Sequence, residues 1–138
     1  MEAEPRPEPP SVAGTMLFIA ILKLALAAAG FERTWRCIRA WSERRPLAHP
    51  IADAAVRQSE YVVALAAALY PGRAACLERS LTLYWHLRRR GVDVRYRMGV
   101  QAYPFMAHAW IEHRGVPIND IPEHVRRFRL LDAAGAAS

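Results

Sequence analysis

Apolar residues dominate the first third of the chain. Residues 12–31 form one apolar run whose main interruptions are Thr15, Lys23 and two glycines. A run of this length is enough to cross a bilayer, but a lysine near its centre is costly in hydrocarbon, and the run is rich in alanine. We therefore expect a helix that is buried in the protein or in an interface with a partner, with a membrane-spanning helix as the alternative.

Two more helices are predicted before residue 71. Residues 31–45 place Phe31 and Trp35 on one stripe and arginines on the remaining surface, and Pro46 ends the helix. We expect this basic helix to pack its aromatic side on the core, and the alternative is contact with a membrane or a partner. An alanine-rich third helix follows from about residue 51 and stops before Pro71.

Strict alternation of apolar and polar residues begins at position 92. Residues 92–100 read as a strand with one apolar face, and two more strands are predicted at residues 107–112 and 116–120. Helices followed by strands predict an α+β fold, in which a helical N-terminal half packs on a small antiparallel sheet.

The chain of 138 residues is long enough for one compact domain. We expect a helical region at residues 12–70 and a second region at residues 71–132, which holds the predicted strands, to form that domain together. Residues 1–11 are rich in proline and acidic residues, so they are predicted to be a disordered tail, and residues 133–138 are expected to be a tail at the other end.

Cys76 lies where a fourth helix is predicted to begin. Pro71-Gly72 forms a turn before it, and a run of three arginines followed by Gly91 suits the C-terminus of a helix over residues 76–90. The unpaired backbone N–H groups of a first helical turn favour a thiolate over a thiol. Because the thiolate is the form that attacks a carbonyl, Cys76 is predicted to be a nucleophile.

The loop between the last two strands decides whether His108 and Asp120 meet. A three-residue loop, His113-Arg114-Gly115, uses glycine in the left-handed region and places His108 opposite Asp120 on one face. A two-residue loop at Arg114-Gly115 would place the two side chains on opposite faces. The glycine position favours the longer loop, so we predict a Cys-His-Asp arrangement for thiol acyl transfer in which Asp120 orients His108.

The chain carries a net charge of +6, and 53% of its residues are hydrophobic. A basic surface fits an acidic peptide, a nucleic acid or an anionic lipid equally well. No nucleic-acid interface is predicted, because the arginines are scattered over four segments and are not interleaved with aromatic residues on one face. Two cysteines do not predict a disulfide framework. We expect Cys37 to be a buried apolar residue in a reduced, cytoplasmic chain.

Four motifs carry a resemblance to a known family. They are CLERSL at 76–81, LRRRG at 87–91, PFMAHAWIE at 104–112 and Asn-Asp at 119–120. Together they resemble the lasso-peptide leader peptidases, which are cysteine peptidases of the transglutaminase-like (papain-related) superfamily. The resemblance covers residues 70–121 and implies a minimal transglutaminase-like core with Cys76, His108 and Asp120 as the catalytic residues.

The resemblance also implies a substrate and partners. The substrate would be a ribosomally made lasso-peptide precursor, from which the enzyme removes the leader. The chain has no length for the leader-binding half of larger family members, so it resembles the split form that works with a separate small leader-binding protein. The freed core peptide would pass to a separate ATP-dependent cyclase, and no cofactor is implied.

Other readings of the same residues stay open. The aromatic side chains near the histidine are predicted to shape a substrate cleft or to close the core: Tyr103, Phe105 and Trp110. An amine acceptor in place of water would make the enzyme a transamidase, and a basic adaptor without catalysis is a further alternative. Five residues have the chemistry of zinc ligands, but none are closely spaced, so no metal site is predicted. They are Cys76, His108, His113, Asp120 and His124.

Overall fold

A computed structural model describes residues 10–42 and 52–131. The predicted tails at residues 1–11 and 133–138 lie almost wholly outside the described residues. The helices are α1 (Val12–Ala29), α2 (Phe31–Ser42), α3 (Ala52–Leu69), α4 (Cys76–Arg89) and α5 (Pro122–Val125). The strands are β1 (Arg95–Gln101), β2 (Met106–His113), β3 (Val116–Pro117) and β4 (Arg129–Leu130). They form one antiparallel sheet in the order β3-β2-β1-β4, which confirms the α+β prediction.

Helix α4 lies at the centre of the core. Its Leu81, Leu83 and Leu87 are buried, with α1, α2 and α3 packed around one side and β2 and β1 on the other. An aromatic stack joins these layers. The ring of Trp35 in α2 lies 4.9 Å from the ring of Tyr84 in α4 and 4.9 Å from that of Tyr96 in β1. The core therefore fixes the position of the helix that begins with the predicted nucleophile.

Gly30 divides the long apolar run. Its backbone adopts a positive φ of 82°, and its N–H donates to the Leu26 carbonyl at 3.1 Å, which ends α1 and lets the chain turn into α2. The buried residues of α1 are Thr15, Ile19 and Leu22. An opposite stripe of large apolar side chains is exposed, and it consists of Leu17, Ile21 and Leu24.

By length and composition α1 is a candidate to cross a membrane. Its central Lys23 instead makes contacts within the protein. The ammonium group donates to the Arg73 carbonyl and lies 3.8 Å from the Glu78 carboxylate in the first turn of α4. These contacts are those expected of a helix that packs on its own protein.

Cys37 is exposed, so the prediction of a buried apolar cysteine is wrong. The buried stripe of α2 runs through Thr34, Ile38 and Ser42. Cys37 precedes Ile38 by one residue and is therefore rotated by about 100° away from that stripe. Both cysteines are free thiols.

The C-terminus of α4 follows the prediction closely. Gly91 has a φ of 80°, and its N–H donates to the Arg88 carbonyl at 3.0 Å. The N–H of Val92 donates to the Leu87 carbonyl at 2.9 Å, which completes a Schellman motif. The chain needs three further residues to reach the sheet, so β1 begins at Arg95 and not at position 92.

The hairpin between β2 and β3 has a two-residue loop, so the predicted three-residue loop is wrong. His113 pairs with Val116, and Glu112 pairs with Pro117. Both loop residues are left-handed, with φ of 53° at Arg114 and 78° at Gly115. Positive φ at both positions is the signature of a type I′ turn, whose twist matches the flanking strands. The match in twist between the turn and its strands therefore compensates for the unfavourable left-handed conformation of Arg114.

Candidate active site

His108 and Asp120 are hydrogen-bonded although the predicted register is wrong. Side chains alternate along β2, so Ala109 and Ile111 face α4 while His108 faces the other side of the sheet. After β3, one more backbone hydrogen bond joins the chain to β2, from the Ile118 N–H to the Ile111 carbonyl at 2.9 Å. The backbone then bends, and the Asp120 carboxylate Oδ2 meets His108 Nε2.

Asp120 is held by three donors. Its Oδ1 accepts from the backbone N–H of Ile121 at 2.8 Å, while Oδ2 contacts both His108 Nε2 and His124 Nδ1, the latter at 2.7 Å. Burial alone would raise the pKa of this carboxyl. The hydrogen bonds from His124, Ile121 and His108 outweigh burial, so the pKa of Asp120 lies below its usual range. The carboxylate is therefore charged and fixed in orientation.

Aromatic rings form a platform under His108. Its ring centroid lies 5.8 Å from that of Trp110 and 5.1 Å from that of Phe128. Gly99, which pairs with His108 across β1 and β2, makes room for the platform. A Cβ at this position would lie 2.7 Å from the Phe128 Cβ and 3.1 Å from the Arg129 carbonyl oxygen. Glycine is thus required by close packing on this face of the sheet.

Cys76 is the first residue of α4 and is partly buried. Within the described residues its Sγ makes no hydrogen bond to His108, so the structure joins His108 with Asp120 and leaves Cys76 apart. Burial, together with the negative charge of a Cys76 thiolate, raises the pKa of the Tyr96 hydroxyl. Tyr96 itself is buried in the core, to which β1 presents it.

A buried serine ties the three segments together. Ser80 follows Cys76 by four residues, about one helical turn, and is fully buried. Its hydroxyl donates to the Ala109 carbonyl at 3.0 Å and accepts from Asn119 Nδ2 at 3.0 Å. Asn119 Oδ1 in turn accepts from the Ile111 N–H at 2.8 Å. Ser80, one turn after Cys76, is thus bonded both to Ala109, which follows His108, and to Asn119, which precedes Asp120.

The predicted substrate-contacting aromatic residues occupy different environments. Tyr103 and Phe105 lie in the β1–β2 loop with 93% and 76% of their surface exposed, so a peptide can reach them. Trp110 is only 1% exposed, and its Nε1 donates to Glu112 at 3.2 Å. It supports His108 from beneath and is not positioned to touch a substrate.

Residues 18–132 match a family model described as the transglutaminase-like superfamily. The chain belongs to the transglutaminase-like superfamily. Among curated proteins it is similar to the microcin J25-processing protein McjB of Escherichia coli, with 40% identity over 47 residues. The match covers 34% of this chain and 23% of McjB, so it spans less than a quarter of that protein. No solved structure matches the chain significantly.

In this transglutaminase-like chain, one group near the predicted site was missed by sequence reasoning. From the sequence, His124 was only a candidate zinc ligand. In the structure it lies with His108 and Asp120 in a cluster whose ligand atoms are all within 4.8 Å of one another. Cys76 and His113 are not in that cluster. The spacing of four residues between Asp120 and His124 was the available signal, because side chains at that spacing meet where the backbone makes one helical turn.

Proposed function

We propose that this protein is a cysteine peptidase that removes the leader from a ribosomally synthesised lasso-peptide precursor. Membership of the transglutaminase-like superfamily and the partial similarity to a microcin J25-processing protein support this proposal. The observation that carries it is the bond between His108 Nε2 and Asp120, which is the histidine–carboxylate pair that thiol acyl transfer needs.

The bond to Asp120 determines how His108 would act. An ionised carboxylate only accepts, so His108 must carry its proton on Nε2. Nδ1 then has a lone pair and, among the described residues, no hydrogen-bond partner. It is the atom that would take the proton from the Cys76 thiol. Asp120 would fix the ring tautomer and stabilise the imidazolium that forms.

Hydrolysis then follows in two steps. The Cys76 thiolate attacks the peptide carbonyl, and the His108 imidazolium gives its proton to the leaving amine, which frees the core peptide and leaves the leader as a thioester. Water attacks the thioester, with His108 as the base, and releases the leader with a carboxylate end. The backbone N–H of Cys76 at the helix start would donate to the oxyanion.

The precursor and two further proteins are the partners we propose. A separate small leader-binding protein would hold the leader, so that cleavage becomes nearly intramolecular and KM falls. An ATP-dependent cyclase would consume the freed amine of the core peptide. We place the reaction in the cytoplasm, where thiols stay reduced.

The test is cleavage of a synthetic precursor, followed by mass spectrometry with and without a leader-binding protein. Cys76→Ala and His108→Ala should each reduce the rate at least about 1,000-fold, since each removes a reacting group. Cys37→Ala is the matched control and should retain the wild-type rate, because this thiol is exposed on α2.

The products separate hydrolysis from transamidation. A leader that ends in a free carboxylate supports the peptidase, whereas a leader joined to an added amine would indicate a transamidase. Full activity of Cys76→Ala would end the proposal.

A further inference from the structure

His124 shares the carboxylate oxygen that holds His108. It lies on α5, four residues after Asp120, and its Nδ1 is 2.7 Å from Asp120 Oδ2. The ring centroids of His108 and His124 are 4.9 Å apart. Phe128 contacts both rings, with centroid distances of 5.1 Å to His108 and 5.3 Å to His124. Two imidazoles therefore converge on one oxygen, and one phenyl ring fixes both.

The shared oxygen determines the protonation of both rings. Because an ionised carboxylate has no proton to give, His108 must donate through Nε2–H and His124 through Nδ1–H. The remaining nitrogen of His108 is then the Nδ1 that the peptidase mechanism requires. Without His124, the Asp120 carboxylate would keep the Ile121 N–H on Oδ1 but would lose one of the two donors on Oδ2.

We propose that His124 is a positioning residue that orients Asp120 and, through it, the ring of His108. The inference rests on the proposed function and adds to it a fourth side chain behind the Cys-His-Asp residues. Within the described residues, the titratable groups bonded to Asp120 are His108 from β2 and His124 from α5. The hydrogen bond from His124 is also the largest of the contributions that lower the pKa of Asp120.

The partial exposure of His124 makes the proposal testable. Its side chain is 38% exposed, so substitution there should be compatible with folding. His124→Asn places an amide N–H close to the position of the Nδ1–H, whereas His124→Gln moves the same amide one carbon further, toward the position of Nε2. The two variants therefore form a matched pair that differs in where the donor lies.

Steady-state cleavage of the precursor is the measurement. We expect His124→Gln to lower kcat about ten-fold with KM unchanged, and His124→Asn to restore most of the rate. The downfield proton signal of the bond between His108 and Asp120, seen by NMR, should persist in His124→Asn and broaden in His124→Gln. If His124 only supported folding, the two variants would have the same kcat, and the NMR signal would be the same in both.

Three outcomes overturn the inference. The first is a wild-type kcat in His124→Gln. The second is equal loss in both variants with the NMR signal intact. The third is stoichiometric zinc in the purified protein that chelation removes together with activity, which would make His124 a metal ligand. A wild-type protein that cleaves no precursor would defeat the proposed function itself, and that result differs from all three.

Discussion

At the scale of single residues, the candidate site depends on a position that has no side chain. Gly99 belongs to β1, yet the space beside it is filled by Phe128 and Trp110, which hold the ring of His108. Any larger residue at 99 must displace backbone near β4 or these aromatic rings. The orientation of His108 is therefore coupled to the packing of a strand that carries none of the predicted catalytic residues.

Gly99→Ala should lower both stability and activity. The added carbon would lie 2.7 Å from the Phe128 Cβ, and overpacking of this kind costs about 1–3 kcal/mol of the free energy of unfolding. Thermal unfolding and precursor cleavage measure the two effects. Gly72→Ala is the control, because the added carbon there meets only the ring of Tyr70. Equal stability of the Gly99 variant and wild type would contradict the packing argument.

At the scale of elements, α1 and α4 are joined by a partly buried polar pair, Thr15 and His86. The Thr15 hydroxyl donates its proton to the Ser11 carbonyl at 2.8 Å. The Thr15 oxygen therefore accepts the second bond, from His86 Nε2–H at 3.0 Å. Burial, with the positive charges of Arg89 and Arg90, lowers the pKa of His86 from 6.5 to about 4. The folded protein therefore keeps His86 neutral over a pH range in which the unfolded chain protonates it.

The pair predicts a loss of stability in mild acid. The contribution of His86 is complete above pH 6.5 and is lost as the pH falls to about 4, since the unfolded chain binds the proton first. The loss is at most about 3 kcal/mol. Urea unfolding between pH 7 and pH 4 measures it, and His86→Gln, which keeps an N–H for Thr15, should flatten the dependence. If the free energy of unfolding of that variant fell just as steeply with pH, the loss of stability would belong to other groups, such as Asp120.

Elements with strong local signals were predictable, and those set by long-range packing were not. Both ends of α4 follow from the Pro-Gly turn and Gly91, because each acts within a few residues. The hairpin loop did not follow, since Gly115 suits two loop lengths and the sequence does not reveal a left-handed Arg114. The bond between His108 and Asp120 arises from the bend after Ile118, which no pattern in the strand encodes. The two-residue β4 exists only through pairing with β1.

At the scale of the whole molecule, the two faces of α1 support different locations for this helix. The exposed apolar stripe favours contact with a membrane or a partner, whereas the packed face favours a helix held within its own protein. Leu17, Ile21 and Leu24 are exposed, which is consistent with a membrane or a partner. Lys23 is paired with protein groups, and Ile19 is fully buried. Extracting these residues into a bilayer would break the contacts between α1 and the start of α4.

Carbonate extraction of cell membranes should therefore release the protein. A helix held by buried contacts and a paired lysine leaves with its domain, whereas a spanning helix stays in the lipid. Immunoblots of pellet and supernatant measure the distribution, with a known spanning protein as the control. Retention in the pellet would favour the membrane-spanning alternative and would require Lys23 to leave its partners.

The bond between Thr15 and His86 also has a consequence during synthesis. It links residues 71 positions apart, and a ribosome that adds about 5–20 residues per second needs roughly 4–14 s to deliver His86 after Thr15. For that interval α1 is an apolar helix that can pack on α2 and α3, which are delivered earlier, but not yet on α4. Chaperones that bind exposed apolar surface on unfinished chains compete for such a helix. The time at which α4 emerges therefore limits how long that competition lasts.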